Sequence, residues 1–295
     1  MKILIGISSK EYSGPTLEVG MRIARTLKSS TTILDVGQKI SEFSYKDVSL
    51  ANELMESWDL DRPGVDVLEW AYNYLEKNQF IESNKNKAEF SKNLLIDKGD
   101  GRAEVLLKGT AVENLSLILR NGDIIEELRD EVQSFEYDVT IIGGSSGKRS
   151  MAHDLIQYID SSIFIVNNFN SDQSYRILLA VDDSPGTAKA VKFGVRIAQA
   201  FDIQVDIITI SSNGNISKKS KKASARAEKM MRRSGVIAKA IFSSGELEKT
   251  LVETAGDDHI IIMGTSSQSP LTKFFLGSKP LNVMEKCNCP MLIIK

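Results

Sequence analysis

The stretch Met263-Gly264-Thr265-Ser266-Ser267, followed after nine residues by Gly277-Ser278 and then by Cys289-Pro290-Met291-Leu292-Ile293-Ile294, decides how this chain reads. An apolar run ends in glycine, a loop follows, and a second glycine with a hydroxyl stands where a helix begins. That order suits an anion. Glycine lets the backbone approach a phosphate, and the unpaired N–H groups of a helix N-terminus point at it. The Ser278 hydroxyl adds a side-chain donor.

Working backwards from that stretch, the chain repeats itself. Asp138 to Gly144 matches Asp258 to Gly264 at an offset of 120, and Ile163-Phe164-Ile165-Val166 matches Met291-Leu292-Ile293-Ile294 at an offset of 128. Nearer the start, Ile3-Leu4-Ile5-Gly6-Ile7 matches Ile177-Leu178-Leu179-Ala180-Val181 at an offset of 174. Gly20-Met21-Arg22-Ile23-Ala24 matches Gly194-Val195-Arg196-Ile197-Ala198 at the same offset, with no gap. The first half therefore holds 54 extra residues in its middle (174 less 120) and lacks 8 in the loop after Gly147 (128 less 120). Gene duplication followed by divergence is the simplest account.

Each half alternates apolar runs with helix-period stretches, the pattern of a parallel sheet covered by helices on both faces. In the second half strands are expected near 176–181, 203–210, 236–242, 259–263 and 290–294, and helices near 184–201, 217–234, 245–256 and 277–287. The fold class is α/β, with two tandem Rossmann-like domains, each a five-stranded, mostly parallel sheet. The first domain spans 1–167, with an insertion at about 37–108, and the second spans 175–295. Asn167 to Ser174 is polar and aperiodic and reads as the linker. In the insertion, Asp61-Arg62-Pro63 starts a helix carrying Val67, Trp70, Ala71, Tyr74 and Leu75 on one face. Leu94-Leu95-Ile96 and Val105-Leu106-Leu107 flank Lys98-Gly99-Asp100-Gly101, a hairpin signal. Both tryptophans, Trp58 and Trp70, lie in this segment, where they suit a core or a partner-docking surface.

Composition excludes several classes. Among 295 residues, 42% hydrophobic and 26% charged is ordinary for a globular protein. No apolar stretch approaches the roughly 18 residues that span a bilayer, so no membrane role is expected. Only Cys287 and Cys289 occur, which excludes a disulfide framework and favours a reducing cytoplasm. Their spacing could hold half a metal site, but nothing nearby in sequence completes it, and they read as thiols beside the final strand. The net charge of −2 hides an asymmetry: residues 1–166 carry 19 Lys/Arg and 27 Asp/Glu, whereas 167–295 carry 18 and 12. Eight basic residues lie between Lys218 and Arg233 with Glu228 alone opposing them. This reads as the solvated face of a helix with Ala223, Ala227, Met230 and Met231 inward. No aromatic residue interleaves these charges, which argues against nucleic acid.

The glycine spacing, the repeat and the strand endings together resemble the tandem members of the universal stress protein superfamily, whose fold is adenine nucleotide alpha hydrolase-like. The loop of its nucleotide-binding members is Gly-x2-Gly-x9-Gly-Ser; here Ser267 stands at the second glycine. The resemblance implies ATP or AMP, with Mg where phosphates hold it, bound by the second half. Ala180-Val181-Asp182 matches the first-strand ending, whose aspartate contacts adenine or ribose. Ile210 would wall the adenine. Met263, Gly264, Ser266 and Ser267 would lie under ribose and phosphates, and Gly277, Ser278 and Lys279 would grip the phosphates. The first half is a poorer candidate, with Ser8 at the position of Asp182 and only Lys148 between Gly147 and Arg149-Ser150. The resemblance also implies antiparallel pairing of the two final strands, as an intrachain pseudo-dimer, with a homodimer as a further form.

Catalysis is not expected beyond slow ATP hydrolysis. His153 and His259 are the only histidines; His259 falls at the strand end opposite the ligand edge, and His153 has no identifiable nucleophile partner. The leading reading is a cytoplasmic stress-response sensor whose nucleotide occupancy alters a surface read by an unknown protein partner. The runner-up is a nucleotide-free scaffold acting through the 37–108 insertion. The third, an ATP-pyrophosphatase type of enzyme, lacks that group's Ser-Gly-Gly-x-Asp-Ser loop.

Overall fold

The computed structural model describes residues 1–39, 63–82, 95–110, 112, 114–144, 151–265 and 278–295, with the backbone alone for Met151–His153, Gln157, Ser278 and Lys279. The described residues form two compact units, Met1–Tyr137 and Asp138–Lys295.

The first unit is built on three parallel strands, β1 (Lys2–Ile7), β2 (Ser30–Gly37) and β5 (Leu115–Asn121), with β2 in the middle. Helix α1 (Gly14–Leu27) connects the first two. Continuous apolar runs mark these strands because both faces are covered; Ile3, Leu4, Ile5, Ile33, Leu117 and Ile118 are fully buried. The insertion adds an antiparallel edge to this sheet. Strands β3 (Ile96–Asp97) and β4 (Ala103–Leu107) form the expected hairpin, and β4 pairs with β5. Gly99, Asp100 and Gly101 all have positive φ at its turn, which explains the Gly-Asp-Gly sequence there. Helix α2 (Val65–Lys77) begins where Pro63 announces it, but its buried stripe is Val65, Leu68, Ala71, Tyr72 and Leu75. Val67, Trp70 and Tyr74 are half-buried instead, with the Trp70 and Tyr74 rings 5.9 Å apart. Trp58 lies outside the described residues.

Helix α3 (Ile124–Phe135) is capped by Asp123, whose carboxylate accepts from the amides of Ile125 and Glu126. It carries Glu131, 0% exposed, beneath two arginines. Arg120 Nη2 and Nε donate to Glu131 Oε2 at 2.7 and 2.8 Å, Arg102 Nε reaches the same oxygen at 3.2 Å, and the Tyr137 hydroxyl donates to Oε1 at 3.1 Å.

In the second unit, β8 (Arg176–Ala180), β9 (Val205–Ser211), β10 (Ala238–Ser244), β11 (His259–Gly264) and β12 (Met291–Ile294) form a parallel sheet ordered β10-β9-β8-β11-β12. Helices α5 (Pro185–Phe201), α6 (Lys218–Arg233), α7 (Leu247–Ala255) and α8 (Ser278–Lys286) connect them, each within two residues of its expected bounds. Right-handed crossovers put α5 and α6 on one face and α7 and α8 on the other. The unit also holds β6 (Val139–Gly143), α4 (Met151–Tyr158) and β7 (Ser162–Val166), with β6 and β7 parallel. Strand β7 pairs antiparallel with β12, Leu292 opposite Phe164, so the two final strands meet as expected and neither apolar edge is left open. This pairing draws β6 and β7 into the second unit, so the compact units divide at Tyr137, whereas the repeat divides at the linker.

The linker itself is less featureless than its composition. Phe169 is buried, stacked on Tyr175 with ring centroids 5.1 Å apart and edge-on to Phe201. The cysteines also depart from expectation. Cys287 and Cys289 are disulfide-bonded to each other rather than free. The chain turns between α8 and β12 and brings their Cα atoms to 5.5 Å, inside the range a bridge requires.

Candidate functional site

Strand order locates the candidate site in the second unit. From β8 the chain moves outward through β9 and β10, then returns to β11 on the other side of β8. The two connections leaving the carboxyl ends of β8 and β11 diverge to opposite faces. A crevice at such a switch point is where open parallel sheets bind ligands. Helix α8 joins two parallel strands, so it runs against them and its N-terminus returns to the same carboxyl edge. A helix start leaves amides without intrahelical partners, and the macrodipole there favours negative charge.

Several of the expected residues converge here. Ala180 pairs with Ile208, and the buried Val181 donates its amide to the Ile208 carbonyl at 2.9 Å, which fixes the exit of β8. Asp182 follows, with an exposed side chain. Its Oδ1 accepts from the Ser184 hydroxyl at 2.6 Å, the Ser184 amide at 3.0 Å and the Thr187 hydroxyl at 2.6 Å. The carboxylate is thereby held at the N-terminus of α5. Ile210 is half-buried at the end of β9, and Met263 and Gly264 end β11, Met263 being 6% exposed. Ser266, Ser267 and Gly277 lie outside the described residues, and Ser278 and Lys279 are described as the backbone that opens α8.

Sequence reasoning missed Gly186. A Cβ on Gly186 would lie 2.4 Å from the Thr265 carbonyl oxygen, and one on Gly264 would lie 2.6 Å from the Gly186 carbonyl. The first turn of α5 and the end of β11 thus touch backbone to backbone. Gly264 is required by this packing as well as by any ligand. Thr187 was also passed over. Its hydroxyl accepts from the Asp182 amide at 3.2 Å, and in the first unit Ser13, 174 residues earlier, accepts from the Ser8 amide at 3.0 Å. The repeat preserves this bond and loses the carboxylate, a signal legible by aligning the halves.

Beside the Asp182 loop a groove of about 510 Å³ opens between α5 and α6. Asp182, Asp183 and Ser184 form one end, while Ile210, Met263 and Gly264 do not line it.

The opposite edge is occupied by a structural cluster. His259, 8% exposed, has Nδ1 2.9 Å from the Ala255 carbonyl and 2.6 Å from Asp258 Oδ1, with Nε2 3.3 Å from Asp206 Oδ2. Arg176 donates to both Asp206 oxygens, at 2.6 and 2.9 Å. Burial alone would raise the Asp206 pKa, but hydrogen bonds from Arg176 and His259 hold it below the ordinary value. This arrangement ties β8, β9 and β11 together at their starts, away from the crevice. Among the described residues no cluster of His, Cys, Asp and Glu could hold a metal ion, and no helix is long and apolar enough to cross a membrane.

Comparison with known proteins bears on the family and the fold. Residues 174–295 match the Universal stress protein family. A universal stress protein of Methanocaldococcus jannaschii is 24% identical over 153 residues, a match covering 45% of this chain and 90% of that protein. Among solved structures, a universal stress protein of Archaeoglobus fulgidus aligns at 14% identity with a TM-score of 0.59, over 100% of this chain and 96% of its own. A protein of unknown function from Pseudomonas aeruginosa aligns at 14% identity and a TM-score of 0.59, over 100% and 92%. At such identity the structural matches speak for the fold, α/β with a mostly parallel sheet, over the whole chain. Residues 174–295 thus match the universal stress protein family, within a chain whose α/β fold aligns over its whole length with solved universal stress protein structures.

Proposed function

We propose that the second unit binds one adenine nucleotide, ATP or AMP, at the carboxyl edge of β8, β9 and β11, and that the chain acts as a stress-response sensor. The observation that carries this reading is the convergence at the switch point of Asp182, Ile210, Met263 and Gly264 with the returning N-terminus of α8. Asp182 would take adenine or ribose, with its carboxylate already oriented by Ser184 and Thr187. Ala180 and Val181 set its position, and Ile210 and Met263 would enclose the apolar base. Gly264, Ser266, Ser267, Gly277, Ser278 and Lys279 would surround the phosphates, where the α8 amides stabilise negative charge. A bound magnesium would be held by phosphates, water and carboxylates.

The proposed role is binding with at most slow ATP hydrolysis, and His259 belongs to the cluster at the opposite edge. The domain boundary proposed is the duplication's, 1–167 and 175–295. The proposed setting is the cytoplasm, with a protein partner reading nucleotide occupancy and homodimerisation as a further level of assembly. Native mass spectrometry with nucleotide and magnesium titration tests the reading on the wild-type chain, Asp182→Ala and Ser278→Arg. The expected result is one adenine nucleotide per chain, lost in both variants. No binding at millimolar nucleotide overturns the proposal, and two per chain would reassign part of it to the first unit.

A further inference from the structure

Helix α6 does more than present charge to solvent. Of its apolar residues, Ala227 and Met231 are buried, but Ala223 and Met230 are only half-buried and form, with Ala227, the floor of the groove against α5. Lys219, Lys222 and Arg226 stand along the α6 wall and Lys192 on the α5 wall. None of these four cations has a carboxylate partner among the described residues. Ion pairing elsewhere in the unit is ordinary, as between Arg176 and Asp206 at 2.6 Å.

The spacing gives the groove its shape. Cations at 219, 222 and 226 and floor residues at 223, 227 and 230 make two adjacent stripes on one helix. From Lys219 to Met230 the helix advances about 16 Å at about 1.5 Å per residue, the length of three helical turns. Small side chains on the floor let another backbone come close.

We propose that this groove docks an acidic amphipathic helix of a partner protein. Its apolar face would lie on Ala223, Ala227 and Met230, with carboxylates on its two flanks meeting Lys192 and the Lys219–Lys222–Arg226 stripe. Asp182 and Asp183, at the β8 end, favour the positive N-terminus of the docked helix at that end, which sets its polarity. A nucleic acid would leave the apolar floor unused, would find no aromatic side chain in the lining to stack on, and would meet the two aspartates as like charges. The docking does not require the nucleotide reading, although Asp182 lies at an end common to both sites, and it is tested without nucleotide.

The test uses the full chain and a fluorescein-labelled four-turn peptide of leucine, alanine and glutamate, with leucines at i, i+3, i+4 and i+7 and glutamates on both flanks. Anisotropy should show saturable binding, weakened by rising salt. Lys222→Glu combined with Arg226→Glu should weaken it at least about tenfold, and so should replacing the peptide's glutamates by glutamine. Ala223→Trp, which fills the groove without changing its charge, should weaken it independently, and the Met230 methyl resonance should shift on binding. Thermal melts establish that the variants fold. Absence of saturable binding, or equal binding by wild type and both variants, overturns the proposal. Binding of oligothymidylate, lost in the charge-reversed variant, with no binding of the peptide, overturns it in favour of nucleic acid.

Discussion

Replacing Gly186 by alanine tests whether the backbone contact between α5 and β11 positions the candidate site. The new Cβ would lie 2.4 Å from the Thr265 carbonyl oxygen, where ordinary contact begins near 3.4 Å. The helix start and the strand end must therefore part by about 1 Å, and overpacking of that kind costs about 1–3 kcal/mol. Gly194 is the internal control. It lies on the same helix, and a Cβ there would meet Met231 Cε at 3.3 Å and Leu179 at 3.5 Å, nearly ordinary distances to flexible side chains. Gly194→Ala gains up to about 1 kcal/mol of helix propensity and should be neutral or stabilising. Gly264→Ala drives the same two elements apart from the other side, its Cβ 2.6 Å from the Gly186 carbonyl. Combining it with Gly186→Ala should therefore cost less than the sum of the singles, with a coupling of about 0.5–3 kcal/mol. Urea denaturation followed by circular dichroism gives all four values, and nucleotide titration shows whether parting the elements also weakens binding. If Gly186→Ala is as stable as Gly194→Ala, or the double variant is additive, the reasoning is refuted.

Two further predictions concern buried charge in the first unit. Glu131→Ala leaves Arg120 and Arg102, with side chains 9% and 11% exposed, without their shared carboxylate, and should cost about 3–5 kcal/mol in urea denaturation. Glu127→Ala removes a more exposed partner of Arg120, 3.1 Å away, and should cost less than about 1 kcal/mol; equal costs would show that burial is not the cause. Asp35 has its pKa raised from 3.8 to about 7, by burial first and the Asp66 charge second, against a backbone hydrogen bond from Val36. The folded chain thus holds a proton that the unfolded chain releases near pH 3.8, so stability falls as pH rises from there through about 7 and is level above. Three pH units at about 1.36 kcal/mol each set a ceiling on the order of 4 kcal/mol. Asp35→Asn should flatten the difference between urea midpoints at pH 5 and pH 8, and an unchanged difference would assign the dependence to other groups.

The sequence by itself determined the α/β class, the strands and helices of the second half and the hairpin at Lys98–Gly101. These follow from local signals: short apolar runs, helix periodicity, Pro and Gly at element ends, and the repeat. It also brought Asp182, Met263 and Gly264 to one edge, because strand endings in a parallel sheet all point the same way. Tertiary structure alone decided the rest. The contact of Gly186 with Thr265 joins residues 79 apart, and nothing local to either announces it. The inward face of α2 turned from Val67 and Trp70 to Val65 and Leu68 because Trp70 and Tyr74, apolar by composition, can sit half in solvent. Composition likewise left Cys287 and Cys289 as thiols, whereas the turn after α8 set their separation. The basic stripe was legible as charge, but that Ala223 and Met230 floor a groove depends on where α5 packs, and packing is a property of the whole sheet.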